Sequence, residues 1–253
     1  MSQENKQLKR SIIFNLLPQI AYKIKIDEES KSRIANISNY LIKNPDSNFI
    51  LYSNHLSYSD PIFEVYMSTR LDSYQTRHLI APASYSHTDP IKQRSKIFMT
   101  MIKEARHCGI EIVRVIQPYQ INNPDFGYTQ EQANETYTKW LRSLQELGRS
   151  KTPTGVLISP EGHRSESGAL GEGESGVIAC GKLLFPAIYI PLGIHYERVY
   201  NRNGINLGKR VNLVIGNTYT QENRNDSPTL DFLMRNLAST LPDNMRGRWK
   251  NII

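Results

Sequence analysis

Phe49-Ile50-Leu51-Tyr52-Ser53-Asn54-His55-Leu56-Ser57-Tyr58-Ser59-Asp60-Pro61 joins an apolar run to a polar turn and a helix start. The apolar run predicts a buried strand over Asn48 to Ser53. Ser59-Asp60-Pro61 predicts the start of a helix reaching Arg70, with a carboxylate and a proline in its first turn. His55 then falls at the carboxyl end of a strand, and Asp60 lies close enough in sequence to fold back on its ring. One imidazole nitrogen is free to take a proton from a hydroxyl while the carboxylate holds the other N–H. That pairing suits activation of an alcohol for attack on an acyl carbon.

The same alternation continues on both sides. Upstream, a helix is predicted over Glu28 to Ile42. Downstream come a strand over Arg77 to Ala83, a helix over Pro90 to Arg106 and a short strand over Glu111 to Val115. A loop rich in Asn, Pro and Gly spans Pro118 to Tyr128. A helix over Gln130 to Leu147 ends near Gly148, followed by a strand over Gly155 to Ile158 and a short helix over Ser175 to Leu184. Strands over Ala187 to Tyr196 and Arg210 to Ile215 and a helix over Thr229 to Leu241 complete the pattern. This reads as an α/β fold with a mainly parallel central sheet flanked by helices. With 253 residues and no linker or repeat, one structural domain is expected: an N-terminal amphipathic helical region over 1–44 and a main domain over 45–253.

Ligands of such sheets bind beyond the carboxyl ends of the strands. Two more segments place polar residues there. Gly109-Ile110-Glu111-Ile112-Val113-Arg114 carries an arginine to a strand end, where its planar fork suits a phosphate. Ser159-Pro160-Glu161-Gly162-His163-Arg164-Ser165 follows another strand. There Gly162 allows a sharp turn, Arg164 can meet an anion, and Glu161 can accept from a substrate hydroxyl or fix the arginine.

In order, these blocks resemble the lysophospholipid and glycerol-phosphate acyltransferase family. Asn54, His55 and Asp60 match its Asn-His-x-x-x-x-Asp block, Gly109 and Arg114 its Gly-x-x-x-x-Arg block, and Pro160, Glu161, Gly162, Arg164 and Ser165 its Pro-Glu-Gly-Thr-Arg-Ser block. Phe185-Pro186-Ala187-Ile188-Tyr189-Ile190-Pro191-Leu192 resembles its apolar strand with prolines. The likeness covers roughly residues 45 to 220. It implies an acyltransferase-like fold and transfer of a fatty acyl group from acyl-CoA or acyl-carrier protein to a hydroxyl of lysophosphatidic acid or a related glycerol-phosphate lipid. His55 and Asp60 would be the catalytic pair. Asn54, Arg114, Glu161, Gly162, Arg164 and Ser165 would surround the substrate, the arginines holding the phosphate and Glu161 the glycerol part. No cofactor and no metal are expected. Glycerol-3-phosphate or another lysolipid as acceptor remains an alternative, as does a non-catalytic peripheral lipid-binding protein.

The departures are specific to this chain. His163 replaces the usual Thr, Ser159 stands where an aromatic is common, and Glu172-Gly173-Glu174 stands where related enzymes often have Lys-Lys-Gly. That acidic Gly-rich segment reads as a flexible loop.

The formal net charge of +7 and pI of about 9.3 favour anionic partners. No nucleic-acid module pattern is visible, so phosphate and lipid rank above nucleic acid. Leu8, Ile12, Leu16, Ile20 and Ile24 recur every four residues between flanking lysines, which predicts an amphipathic helix that either lies on a membrane surface or packs on its own domain with a kink at Pro18. It is too polar to span a bilayer. A peripheral protein on the cytoplasmic face of a membrane is expected, with Cys108 and Cys180 reduced and packed. The C-terminal Arg246 to Ile253 reads as a frayed tail.

Overall fold

The computed structural model describes residues 12–71, 77–85 and 96–250. A sheet runs in the order β1 (Lys23–Ile26), β7 (Arg210–Ile215), β6 (Ala187–Tyr196), β2 (Asn48–Ser53), β5 (Thr154–Ile158), β3 (His78–Ser84), β4 (Ile110–Val115). From β6 to β4 all neighbours are parallel, while β7 is antiparallel to β6 and β1 is parallel to β7. The short β8 (Tyr219–Gln221) pairs with residues 187–189 of β6, on the edge whose residues 192–196 pair with β7. Pro191, which has no N–H to give a ladder, lies at the gap between them and accepts from Gly216 N at 3.0 Å.

β2 is buried at every position because both faces of the sheet are covered. Phe49 and Leu51 enter one apolar core; Ile50 and Tyr52 enter the other. The first core is closed by α1 (Leu17–Ala21) with the π-helical turn Ile12–Leu16 before it, by α2 (Glu28–Lys43), α3 (Asp60–Ser68) and α4 (Lys96–His107). The second is closed by α5 (Gln130–Arg149), α6 (Gly176–Leu183) and α7 (Leu230–Ser239). Trp140 on α5 is the largest fully buried side chain there. The result is a three-layer α/β sandwich, as the alternation predicts.

Two asparagines fasten the ends of β2. Asn48 donates to Leu184 O at 2.6 Å and accepts from Thr154 N at 2.8 Å, tying β2 to the starts of β6 and β5. Asn54 exchanges two hydrogen bonds with the backbone of Ile194, at 2.9 and 2.8 Å, beyond the other end. A carboxamide reproduces the donor–acceptor pair of a peptide group, so each extends the ladder where the main chain leaves it.

The N-terminal segment departs from expectation. Residues 8–11 lie outside the described residues, and the helical turns end at Ala21. Lys23–Ile26 is an edge strand, not the end of a helix. Lys23-Ile24-Lys25-Ile26 also alternates with period two, and Ile24 and Ile26 turn inward onto the core. Pro18 sits in the first turn of α1, where its missing N–H costs nothing, so it starts that helix rather than kinking one. Residues 23–43 are thus built into the same sheet and its cover as the rest of the chain.

α5 continues through Gly148, which lets it approach the end of α6; a Cβ there would lie 2.2 Å from Leu183 O. The start expected for α4 at Pro90 lies outside the described residues. The C-terminal segment is not frayed through Trp249: Gly247–Trp249 is a short 3-10 turn, and the buried Trp249 ring donates from Nε1 to Gly171 O at 3.0 Å.

Candidate active site

The turn after β2 brings His55 and Asp60 together. His55 Nδ1 lies 2.9 Å from Asp60 Oδ2. The same oxygen accepts from Leu56 N and from Ser57 N at 2.7 Å, and Oδ1 accepts from Ser57 Oγ at 3.1 Å. Asp60 has no solvent exposure, yet it is surrounded by donors and sits in the first turn of α3, where the helix dipole favours a carboxylate. Because the carboxylate only accepts, the proton shared with it belongs to Nδ1 of His55. Nε2 is then the basic nitrogen.

A network behind the pair fixes its shape. Ser57 Oγ lies 2.9 Å from Tyr196 OH, and Ser59 Oγ accepts from Tyr22 OH at 3.0 Å and Asn206 N at 2.9 Å. Burial, with the Asp60 charge adding to it, raises the Tyr196 phenol far above its ordinary range, so it stays a neutral hydroxyl.

The turn after β5 clamps the backbone of His55 from two sides. Glu161 Oε1 accepts from His55 N at 2.9 Å, and Ser165 N donates to His55 O at 2.7 Å. Ser159-Pro160-Glu161-Gly162 is a tight turn closed by Gly162 N to Ser159 O at 3.1 Å. Gly162 has φ of 68°, and a Cβ there would press on Gln117 Oε1 at 2.9 Å.

Several expected roles change here. Glu161 is not turned toward a substrate hydroxyl: its second oxygen accepts from Gly171 N at 2.9 Å, so both oxygens hold main chain. Burial raises its pKa above the ordinary carboxylate value, against the pull of those two N–H groups. Asn54 serves the sheet through Ile194. Ser165 Oγ donates to Ala169 O at 2.7 Å and closes its own loop. These three side chains build the site and do not face its contents.

Arg164 stacks on Tyr58, with Cζ 4.0 Å from the ring centroid, and its Nη1 donates to Arg202 O at 2.7 Å and Asn203 Oδ1 at 2.8 Å. Its remaining nitrogens make no hydrogen bond among the described residues. Arg114 is half-buried on edge strand β4 and has no hydrogen bond or ion pair among the described residues. By strand alternation it points to the same face as Ile110 and Ile112. His163 is exposed, with its ring edge-on to Tyr119 at 5.6 Å. The acidic segment is fastened rather than loose: Glu172 pairs with Arg248, Leu170 N donates to Met245 O at 2.7 Å, and Glu174 N donates to Pro160 O at 2.8 Å.

A cavity opens in front of His55. Tyr58, Gln117, Gly162, His163 and Arg164 form its polar rim, while Ile62, Val65, Ala81, Ile102, Ala105, Ile110, Ile112 and Leu157 give it apolar walls. One wall residue escaped the sequence reading. Glu64, one turn beyond Asp60 on α3, is buried and faces this space. Its Oε1 accepts from Ser53 Oγ at 2.6 Å and Ser159 Oγ at 3.2 Å. Burial pushes its carboxyl up to about 7, the Asp60 charge adding to that and the two hydroxyls and His55 opposing it. The signal was present: Glu64 is the one charge within Ile62-Phe63-Glu64-Val65-Tyr66-Met67. Among the described residues, no group of three or more His, Cys, Asp or Glu side chains is arranged to hold a metal ion.

The sheet order, the flanking layers and a cavity at the strand ends define a three-layer α/β fold. The chain is similar in structure to PlsC, the 1-acyl-sn-glycerophosphate (LPA) acyltransferase from Thermotoga maritima, with a TM-score of 0.53 and 13% sequence identity over 94% of this chain and 78% of that one. No family model matches the sequence, and no curated protein does.

Proposed function

We propose that this protein is an O-acyltransferase that moves a fatty acyl group from a thioester, acyl-CoA or acyl-carrier protein, to a hydroxyl of lysophosphatidic acid or a related glycerol-phosphate lipid in phospholipid synthesis. The observation that carries the reading is the His55–Asp60 pair at the head of an apolar cavity, with Nε2 as the basic nitrogen. The likeness in fold to an LPA acyltransferase supports the same class.

In this mechanism Nε2 of His55 removes the proton of the acceptor hydroxyl as its oxygen attacks the thioester carbonyl. Asp60 stabilises the imidazolium that forms. The tetrahedral adduct collapses, the C–S bond breaks, and the leaving thiolate recovers the proton from His55. No acyl-enzyme forms, and no cofactor or metal takes part. Arg114 has no partner among the described residues, which supports a role in meeting the acceptor phosphate; Arg164 at the cavity rim supports the same role.

The test is thiol release from oleoyl-CoA on adding lysophosphatidic acid. General-base help is worth ~10²–10⁴ in rate, so His55→Ala should lose that much of kcat while keeping the wild-type circular dichroism. Near-normal turnover in that variant overturns the mechanism. Release with glycerol-3-phosphate alone would move the acceptor to the first acylation.

The N-terminal turns also support a peripheral location. Leu16, Leu17 and Ile20 are 53%, 49% and 73% exposed, and Lys23 and Lys25 point outward beside them. Apolar side chains flanked by lysines suit the surface of an anionic membrane. No helix among the described residues is long and apolar enough to cross one. Since β1 belongs to the sheet, the test spares it: Leu17→Glu with Ile20→Glu should reduce cosedimentation with phosphatidylglycerol vesicles several-fold at unchanged melting temperature. Unchanged cosedimentation rules this contact out.

A further inference from the structure

Behind its polar rim the cavity beside His55 is walled mainly by aliphatic side chains, with one buried polar cluster among them. Ser53 at the end of β2, Ser159 just past β5 and Glu64 on α3 meet there, the two hydroxyls 3.4 Å apart and both within reach of Glu64 Oε1. The other carboxylate oxygen, Oε2, has no hydrogen-bond partner among the described residues. Glu161, whose carboxyl holds main chain, has both oxygens paired, with His55 N and Gly171 N. Glu64 is half paired, and it lines the cavity together with His55, Ser159 and the surrounding aliphatic walls.

An unsubstituted hydrocarbon chain in this cavity would cover Oε2 with methylene groups and leave it without a partner, which a buried polar group resists. A substrate with one polar substituent at that depth would complete it. Glu64 is a single helical turn from Asp60, about 6 Å along the axis of α3. The matching substituent therefore sits within the first few carbons from the carbonyl that reacts beside His55.

Resting on the acyl-transfer reading, we propose that Glu64 is a specificity-determining residue that selects acyl groups bearing a hydroxyl close to the thioester carbonyl, with 3-hydroxyacyl chains as the class. A hydroxyl fits because it both donates and accepts. With a carboxyl that titrates near neutrality, a carbonyl would pair only with the protonated form and an ammonium only with the ionised one. The hydroxyl pairs with either. Ser159 belongs to the same device. It supplies the second hydroxyl on Oε1.

The experiment compares binding of tetradecanoic acid and 3-hydroxytetradecanoic acid to the full-length protein by calorimetry, in the wild type and in Glu64→Leu. The wild type should bind the hydroxylated acid at least about tenfold more tightly, since a site built to pair a hydroxyl rejects the analogue lacking it. Glu64→Leu should bring the ratio close to one, chiefly by tightening the plain acid. Equal affinities in the wild type overturn the proposal without recourse to any variant, and so does a preference that survives Glu64→Leu. Binding needs no turnover. A protein that discriminates the two acids but releases no thiol from any thioester would refute acyl transfer and leave the role of Glu64 standing. One that turns over both thioesters with equal kcat/KM and binds both acids equally would do the reverse.

Discussion

Asp60 and Glu64 are carboxylates one turn apart on the same face of α3, and both are buried, yet their surroundings are opposite. Asp60 receives two backbone N–H groups, an imidazole N–H and a hydroxyl. Glu64 receives two hydroxyls on one oxygen, and it lines the cavity. The donors around Asp60 are supplied by the turn itself, whose chain doubles back over the helix start, so a negative charge there is expected by the fold. Around Glu64 the fold supplies fewer donors, and burial raises its proton affinity until the carboxyl titrates near neutrality. Two carboxyls in such unlike surroundings can divide the labour of a site, one fixing geometry and the other reading what enters. The difference also says why the two tolerate different replacements.

The largest effect is expected at Asp60. In Asp60→Asn the carboxamide oxygen can still take the place of Oδ2, and Ser57 Oγ can rotate to accept from the amide nitrogen, so the turn keeps its shape. The charge that stabilises a protonated His55 is gone. Turnover should fall by ~10²–10⁴, while stability falls only by about 1–3 kcal/mol through the loss of charge-assisted hydrogen bonds. Kinetics alongside chemical denaturation separates the two numbers. A fall in kcat below tenfold in a folded variant would remove Asp60 from the catalytic pair and leave it a structural cap of α3.

The contrast also marks what could be read before the structure. β2 and the turn after it were legible because their determinants are local: six buried residues in a row, then a histidine and an aspartate within one reversal of the chain. The order of helices and strands followed for the same reason. Contacts set by distant residues were not legible. Asn54 finds its partner at Ile194, and Glu161 finds His55 and Gly171, so neither assignment to substrate could be corrected from spacing. The acidic segment read as loose because Trp249 and Arg248, which fasten it, lie more than seventy residues away in sequence. At β1, Ile20 and Ile24 fit a period of four as well as Ile24 and Ile26 fit a period of two, and four residues are too few to decide between helix and strand. Glu64 was passed over because a glutamate on a helix ordinarily faces water. What marked it was its neighbours, apolar on both sides.

A smaller effect, opposite in sign, is expected one turn further along α3. The unfolded chain ionises Glu64 at about 4.5, whereas the folded protein holds the proton to about 7. Between those values the native state binds a proton that the unfolded state has released, so this residue's contribution to stability falls as pH rises through that window and is level above it. The loss is on the order of 3 kcal/mol by pH 8. Glu64→Gln keeps an acceptor for Ser53 and Ser159 and has nothing to ionise. Its melting temperature should match the wild type near pH 4.5 and exceed it by roughly 5–10 °C at pH 8, the difference opening across the interval between. Other buried acids, Glu161 among them, titrate in both proteins and cancel in the comparison. Parallel melting curves across the whole range would mean that the carboxyl of Glu64 is solvated through the cavity. It would then carry its charge at neutral pH, and the division between the two carboxylates on α3 would collapse.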